Sequence, residues 1–260
     1  MKHTRRSFLT HAGAAAGLIT VLPFAARADG HMSDVFADGA IKVHPVGHAS
    51  FVMETPAGVF YVDPVGDAAG YADMPAADFI LVTHEHGDHF NIDTLTAIKG
   101  ETTQMITNGA VFDKLPEALK SNTQALANGE SAMWGEIGID AITAHNTTEE
   151  RMRFHPVGRD NGYVVTVAGF RTYISGDTEP TPEMLALKDI DLAFICMNLP
   201  FTQTAEQAAE AVKTFKPSFV YPYHYRGRDG GTQDPQAFAA LVGDASEVKL
   251  GDWYHEGDHG

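Results

Sequence analysis

The stretch His84-Glu85-His86-Gly87-Asp88-His89 holds three imidazoles and two carboxylates within six positions. Each of these groups is costly to bury unless it is paired or bound to a metal ion, so the fold gains nothing from the cluster itself. His84 and His86 lie two residues apart and project to the same side of an extended segment, where both can bind one metal ion. Asp88 and His89 follow where the chain turns and can face a second metal ion. These ligands favour zinc, with manganese or iron as alternatives.

The flanking sequence predicts that this hexapeptide lies on a loop. The preceding run, Phe79-Ile80-Leu81-Val82-Thr83, is short, apolar and rich in strand-forming residues. After the hexapeptide, Ile92, Leu95 and Ile98 recur at helical spacing. The loop therefore joins the end of a strand to the start of a helix, which is where open α/β sheets carry their ligand sites.

The first 28 residues predict a segment that is removed before the protein acts. Thr4-Arg5-Arg6-Ser7-Phe8-Leu9 is a twin-arginine element, an apolar stretch follows over 12–26, and Ala26-Arg27-Ala28 fits a cleavage site. The apolar stretch is too short to span a bilayer well. We expect a cleaved twin-arginine signal over 1–28, a linker over 29–40, one domain over 41–260 and a periplasmic location, without stable membrane insertion after cleavage.

Composition excludes several classes of partner. The full chain has a formal charge of −16, and removal of the signal takes away Lys2, Arg5, Arg6 and Arg27 without any acidic residue, which leaves a charge near −20. That charge argues against nucleic acid or an anionic membrane as a partner. Cys196 is the single cysteine, which excludes an internal disulfide, and its apolar surroundings predict a buried structural thiol.

Periodicity, turn signals and capping residues predict the remaining elements of an α/β domain. Strands are expected over 41–45, 50–55, 59–63, 79–83, 103–107, 131–134, 137–143, 162–167, 170–175, 192–196 and 219–221. Helices are expected over 91–99, over 110–119 with a break at Pro116, from Thr181 onward and over 204–215. The terminal stretch from Trp253 to His259 is interpreted as solvated.

The third ligand of the first metal ion has two candidates. His145 directly follows an apolar strand and is preferred as the partner of His84 and His86. Its rival, His155, follows a charged segment, and is then a candidate substrate contact or proton donor.

Three further features each allow two interpretations. His48, in a Gly-His-Ala-Ser segment, is either near the metal ions or an ordinary loop histidine. Asp63 either orients a metal-bound histidine or caps a turn. Arg151, Arg153 and Arg159 either bind an anionic substrate group or form a solvated loop that balances Glu149 and Glu150.

The segment Thr83 to His89 resembles the metal-binding signature of the metallo-β-lactamase-fold hydrolases, and the resemblance extends over about residues 41–228. Gly176-Asp177-Thr178 matches the element whose aspartate bridges two metal ions in that family, and His224 matches the family's final ligand. The resemblance implies a four-layer αββα sandwich, with two mixed β-sheets packed face to face and helices outside. The segment over 154–178 resembles more narrowly the branch of L-ascorbate-6-phosphate lactonase and related uncharacterised hydrolases.

The resemblance also implies a site with two divalent metal ions, zinc preferred. One ion would be held by His84, His86 and His145, the other by Asp88, His89 and His224, with Asp177 bridging both. A metal-bridging hydroxide would attack the substrate, Asp88 would orient it or accept its proton, and His48, His155 or a residue behind the ligands would protonate the leaving group. We expect an exported hydrolase that cleaves an ester or lactone bond of a small anionic molecule. A phosphodiesterase acting on a small or lipid-derived substrate, or a non-hydrolytic metal-binding or redox protein, are the alternatives.

Overall fold

The structure, a computed structural model, describes residues 33–254. The expected signal over 1–28, the first residues of the linker and the end of the terminal stretch lie outside the described residues. Within 33–254, no helix has the length and apolar character needed to cross a bilayer.

Two sheets of seven strands each form the centre of the described chain. The first sheet contains β1 (Asp34–Phe36), β2 (Ile41–Gly47), β3 (Ser50–Thr55), β4 (Gly58–Val62), β5 (Phe79–Leu81), β6 (Gln104–Thr107) and β7 (Thr123–Ala125) in that spatial order. The second contains β8 (Ser131–Trp134), β9 (Ile137–Ala144), β10 (Asp160–Val167), β11 (Phe170–Ile174), β12 (Leu192–Cys196), β13 (Phe219–Tyr223) and β14 (Glu247–Val248), again in chain order. In each sheet the first to fourth strands pair antiparallel with one another, and the fourth to seventh strands pair parallel with one another. Both sheets are therefore mixed.

Five of the six α-helices in the described part of the chain begin at a capping side chain, and α3, which follows Pro116, does not. They are α1 (Ile92–Ile98), α2 (Gly109–Lys114), α3 (Glu117–Lys120), α4 (Pro182–Leu185), α5 (Ala205–Phe215) and α6 (Pro235–Val242). The Thr204 hydroxyl and the Gln207 side chain form a capping box at the start of α5, and Thr181 caps α4. The predicted break at Pro116 separates α2 from α3.

Three separate hydrophobic cores show how the layers stack. The inner faces of the two sheets meet, for example where Phe51 stacks on Phe194 with ring centroids 4.0 Å apart. On the outer face of the first sheet, Leu95 of α1 belongs to the same core as Ile80. On the outer face of the second sheet, α5 buries Val212. The order is therefore helix, sheet, sheet, helix, and the predicted four-layer sandwich is confirmed.

The terminal stretch departs from the prediction. Trp253 is fully buried, and its ring lies among the rings of Phe51, Phe194, Tyr221 and Tyr223 at centroid distances of 5.7–6.2 Å. The prediction that this residue is solvated is wrong, because an indole ring gains more from burial between the sheets than from exposure at a chain end. The sequence analysis also did not predict β1, β7, β14 or α6. The thiol of Cys196 is buried, as predicted.

Replacement of Trp253 tests the structural role of this stretch. We expect Trp253→Ala to lower the free energy of unfolding by about 3–5 kcal/mol, because it removes a large aromatic side chain from the core. Urea unfolding followed by circular dichroism measures the change. Met133→Ala is the control, since that side chain is 66% exposed and its loss should change stability by about 0.5 kcal/mol or less. Equal stability of the two variants would contradict the buried placement.

Candidate metal centre

The candidate ligands lie at the ends of strands along one edge of the sandwich. His84 to His89 follow β5, Asp177 follows β11 and His224 follows β13. These are parallel strands, and the carboxyl ends of parallel strands meet at the same edge of a sheet. The loop between β9 and β10 supplies His155 to the same place.

Nitrogen and carboxylate atoms converge there in three groups, two of which share His84. Within each group, the potential ligand atoms all lie within 4.8 Å of one another. The groups are His84, His86 and His155; His84, His89 and Asp177; and His48, Asp88 and His224.

The two carboxylate oxygens of Asp177 face different histidines. Oδ2 lies 3.3 Å from Nε2 of His155. Oδ1 lies 3.4 Å from Nε2 of His89 and 3.3 Å from Nε2 of His224. Asp177 therefore stands between the group that contains His155 and the group that contains His224.

Unpaired polar atoms at the centre show that a metal ion fits this site. Nε2 of His84, Nε2 of His89 and Oδ1 of Asp177 are buried and have no hydrogen-bond partner among residues 33–254. A buried polar atom without a partner costs about 1–3 kcal/mol, and bound metal ions would give these atoms partners. Neutral imidazoles with one or two carboxylates are the ligand type that divalent zinc, manganese or iron takes in proteins.

Carboxylates behind the histidines fix the direction of the rings. Nδ1 of His89 lies 2.8 Å from Oδ2 of Asp63, whose Oδ1 accepts a hydrogen bond of 2.7 Å from the Thr83 backbone N–H. Nδ1 of His155 lies 3.0 Å from Oδ2 of Asp160. In both pairs the other ring nitrogen, Nε2, is left to face the centre, as in many metal sites. Asp63 thus orients the candidate ligand His89. This favours the interpretation that Asp63 positions a histidine ligand over the interpretation that it caps a turn.

The electrostatics of the centre favour a bound cation. Burial alone would raise the pKa of Asp177, but the rings of His224, His89 and His155 hold the pKa of its carboxyl well below the usual range. Burial tends to lower the pKa of His89, but Asp177 and Asp63 outweigh it and raise that pKa well above the ordinary value. Burial, reinforced by His89, lowers the pKa of His84 well below the ordinary value, so this imidazole stays neutral and available to a metal ion.

His48 lies at the edge of the centre. The structure therefore favours a position near the candidate metal ligands over that of an ordinary loop histidine. Its Nε2 lies 3.5 Å from Oδ2 of Asp88, and its ring centroid lies 3.9 Å from that of His224. Burial, reinforced by His224, lowers the pKa of His48 to about 4. Its Nδ1 lies 2.9 Å from the hydroxyl of Tyr254, a residue that the sequence analysis placed in solvent.

The left-handed backbone of three site residues costs stability. Phi is 55° at His48, 43° at Asp63 and 47° at His224, and each such residue costs about 1–3 kcal/mol. Backbone hydrogen bonds hold His48 in this conformation: its N–H donates to the carbonyl of Trp253, and its own carbonyl accepts from the His224 N–H, both at 3.1 Å.

The structure contradicts the preference for His145 as the third ligand. Nδ1 of His145 lies 2.9 Å from the carbonyl oxygen of Asn146, and its backbone N–H donates to the Thr178 hydroxyl. His145 belongs to none of the three groups above, whereas His155 is 1% exposed and lies beside His84 and His86. The reason is the folding of the loop: the Asn146 N–H donates to the His155 carbonyl, and Asp160 turns the His155 ring inward.

Two of the three nearby arginines are paired inside the protein. Nη1 of Arg151 lies 2.6 Å from Oε1 of Glu179, and Nε of Arg159 lies 2.6 Å from Oδ1 of Asp160. These partners are not the neighbours Glu149 and Glu150 that the sequence suggested. The guanidinium groups of Arg151 and Arg159 are therefore engaged by carboxylates of the protein. They support the loop around His155 and do not bind a substrate.

A cavity of about 580 Å³ opens over the centre. It is lined by His48, His86, Asp88, His155 and Asp177, together with Val65, Phe154, Asn198, Phe201 and Arg228. The sequence analysis named none of the last five as site residues; the one sequence signal for Asn198, Phe201 and Arg228 is that they follow β12 and β13, the next two strands in the sheet after β11, which delivers Asp177. Another cavity, of about 660 Å³, lies at the opposite ends of these strands, where Arg171, Lys188 and Asp191 line it, and it contains none of the candidate ligands.

Two face-to-face mixed sheets with a histidine and aspartate centre at one edge define a protein of the metallo-β-lactamase fold. The chain matches the family described as "Beta-lactamase superfamily domain" over residues 42–224. It is 30% identical over 219 residues to a UPF0173 metal-dependent hydrolase of Thermococcus kodakarensis, across 81% of this chain and 96% of the relative. It is 32% identical over 234 residues to a UPF0173 metal-dependent hydrolase of Anaeromyxobacter dehalogenans, across 82% and 85% of the two chains. The chain belongs to this family of metal-dependent hydrolases.

A solved structure supports the same assignment. A protein of Parabacteroides distasonis, described as a metal-dependent hydrolase, superposes with a TM-score of 0.77 at 35% identity. The match covers 86% of this chain and 100% of that one. The narrower resemblance to the ascorbate-lactonase branch stays a prediction.

The two histidines of the loop between β9 and β10 can be tested as a matched pair. We expect His155→Ala to weaken zinc binding by more than the roughly 10–100-fold that loss of an outer partner causes, and His145→Ala to leave the zinc content unchanged. Elemental analysis after dialysis and competition with a chromophoric chelator measure both. Loss of zinc from the His145 variant with full retention by the His155 variant would restore the original preference.

Proposed function

We propose that this protein is a dinuclear metal-dependent hydrolase that cleaves an ester or lactone bond of a small molecule. The observation that supports two ions is the position of Asp177, whose two oxygens face separate sets of histidines. His84, His86 and His155 would hold one ion, and Asp88, His89 and His224 the other. Zinc is the preferred metal, with manganese or iron as alternatives.

Two such ions, when bound, supply Lewis-acid chemistry and an activated water for attack on a carbonyl or phosphorus centre. The chain's own residues position the ligands and the reacting groups. Asp177 fixes the spacing of the two halves of the centre, and Asp63 and Asp160 keep the ligand rings directed inward. Asp88, whose side chain is 46% exposed, is open to the cavity and able to orient a reacting group there.

His48 is the proposed hydrogen-bond donor to the leaving group, because its lowered pKa keeps the ring neutral. The Tyr254 oxygen accepts a hydrogen bond from the Arg226 backbone N–H, so its own proton is free to point at Nδ1 of His48. Nε2 of His48 then carries the ring proton and faces the cavity beside Asp88. Within reach of the reacting atoms, the Nε2–H of this neutral ring stabilises the charge that develops on the leaving group through a hydrogen bond. His155, the other candidate from the sequence, is enclosed as a ligand and takes no such role.

Twin-arginine export to the periplasm belongs to this proposal. It depends on residues 1–28, which lie outside the described residues, and on the motif at Arg5 and Arg6.

The function is tested by metal content and a hydrolysis panel on the chain that begins at Asp29. We expect about two metal ions per chain and turnover of p-nitrophenyl esters or lactones that chelator abolishes and added zinc restores. Turnover of bis-p-nitrophenyl phosphate in place of the esters would identify the phosphodiesterase alternative. Asp177→Ala should abolish turnover with an unchanged circular dichroism spectrum, while Asp189→Ala, at an exposed position away from the centre, should not. Metal-free protein after supply of zinc, manganese and iron would refute the proposal.

The tyrosine behind His48 gives a second test. We expect Tyr254→Phe to lower kcat by about 10-fold at constant metal content, because the His48 ring loses the partner that directs its Nε2 into the cavity. Steady-state kinetics and elemental analysis measure the two quantities. Tyr225→Phe is the matched control, since Tyr225 packs against Tyr254 at 4.9 Å and its hydroxyl does not touch His48. An unchanged kcat in the Tyr254 variant would remove His48 from the proposed role.

A further inference from the structure

One wall of the cavity over the metal centre consists of two loops that are fastened to each other. The Arg228 N–H donates to the Leu199 carbonyl at 3.1 Å, and the Leu199 N–H donates to the Gly231 carbonyl at 3.2 Å. A Cβ atom at Gly227 or Gly231 would lie 2.3 or 2.0 Å from the Leu199 oxygen, so only glycine permits this close approach. The position of Arg228 relative to the centre is therefore fixed by backbone contacts.

The side chains on this wall combine a cation with aromatic surface. The Arg228 guanidinium lies 5.4 Å from the centroid of the Phe201 ring, and Phe201 packs edge-to-face on Phe154 at 5.0 Å. Phe154 directly precedes His155, a ligand of the centre. The cation, the two rings and the candidate metal ligands thus line one continuous cavity.

The charge of Arg228 is directed at the cavity and not at a partner within the protein. Of the residues that line this cavity in the described chain, Arg228 is the one lysine or arginine. No carboxylate of residues 33–254 forms an ion pair with it, whereas Arg151 and Arg159 are both paired. It is exposed, in a chain with a formal charge of −16. A guanidinium placed in this way recognises carboxylate or phosphate groups by paired hydrogen bonds.

We infer that the substrate carries an oxyanion group, a carboxylate or a phosphate, at the end away from the scissile bond, and that Arg228 binds it. The apolar middle of the substrate lies against Phe154 and Phe201, and its reacting bond reaches the metal centre. This inference rests on the proposed function and adds to it the class of substrate and the residue that selects it.

Matched ester substrates separate this inference from the proposed function. The pair is p-nitrophenyl hexanoate and mono-p-nitrophenyl adipate, which have the same leaving group and acyl length and differ in a terminal carboxylate; an analogue with a terminal phosphonate forms a third arm. We expect Arg228→Gln to lower kcat/KM for the two anionic esters by about 10–100-fold and to leave the neutral ester unchanged, because a hydrogen-bonded charge pair is lost. The arm with the larger loss identifies the preferred oxyanion.

Two control variants exclude general charge effects. Arg228→Lys should recover part of the preference for anionic esters, since the charge remains. Lys188→Gln removes one positive charge at the remote cavity and should alter none of the three rates. An equal fall for the neutral and anionic esters in Arg228→Gln, or the same fall in Lys188→Gln, would overturn the inference while leaving the hydrolase intact.

A binding measurement tests the inference even if no ester is hydrolysed. Calorimetry on the zinc-loaded protein should show that phenylbutyrate binds more tightly than phenylbutanol, and that Arg228→Gln removes this difference. An undiminished preference for phenylbutyrate in the variant would place the carboxylate on the metal ions and overturn the inference.

Discussion

The buried carboxylate of Asp177, surrounded by histidine rings, is the interaction on which the architecture of this edge depends. A buried charge persists in a fold only where opposite charge and hydrogen bonds compensate it. His89, His155 and His224 supply part of that compensation, and their placement requires three separate loops to close over the same point. Outside this inner ring, Asp63 and Asp160 add negative charge. The centre is therefore rich in electron-donating atoms, and a bound cation stabilises the folded state as well as serving chemistry.

The pairing pattern of the sheets explains why the loops meet. Each sheet has antiparallel strands followed by parallel ones, and the candidate ligands other than His155 follow parallel strands of both. Because the sheets pack face to face through an aromatic core, their corresponding edges coincide. One sheet delivers the hexapeptide and the other delivers Asp177 and His224. The centre belongs to the interface between the sheets and to neither sheet alone.

The sequence was sufficient for the parts of the site that are local. The hexapeptide, Asp177 and His224 each sit directly after an apolar strand, and periodicity locates such strands well. The choice between His145 and His155 was not local, because it depends on a hydrogen bond across the loop and on Asp160. The partners of Arg151 and the burial of Trp253 likewise join residues far apart in the chain. Periodicity and motifs relate residues that are close together in the sequence, so they do not predict contacts between residues that are far apart in the chain.

The contact between His48 and Tyr254 joins residues separated by 206 positions. Proteins are synthesised from the N-terminus, so the hexapeptide leaves the ribosome well before the residue that completes its surroundings. During that interval a nascent chain already presents His84 and His86 without His155, Asp177 or His224. Full assembly of the centre and its surroundings must wait until Tyr254 has been synthesised. A metal ion that requires the complete set of ligands would therefore bind only after translation has passed β13, the strand that precedes His224.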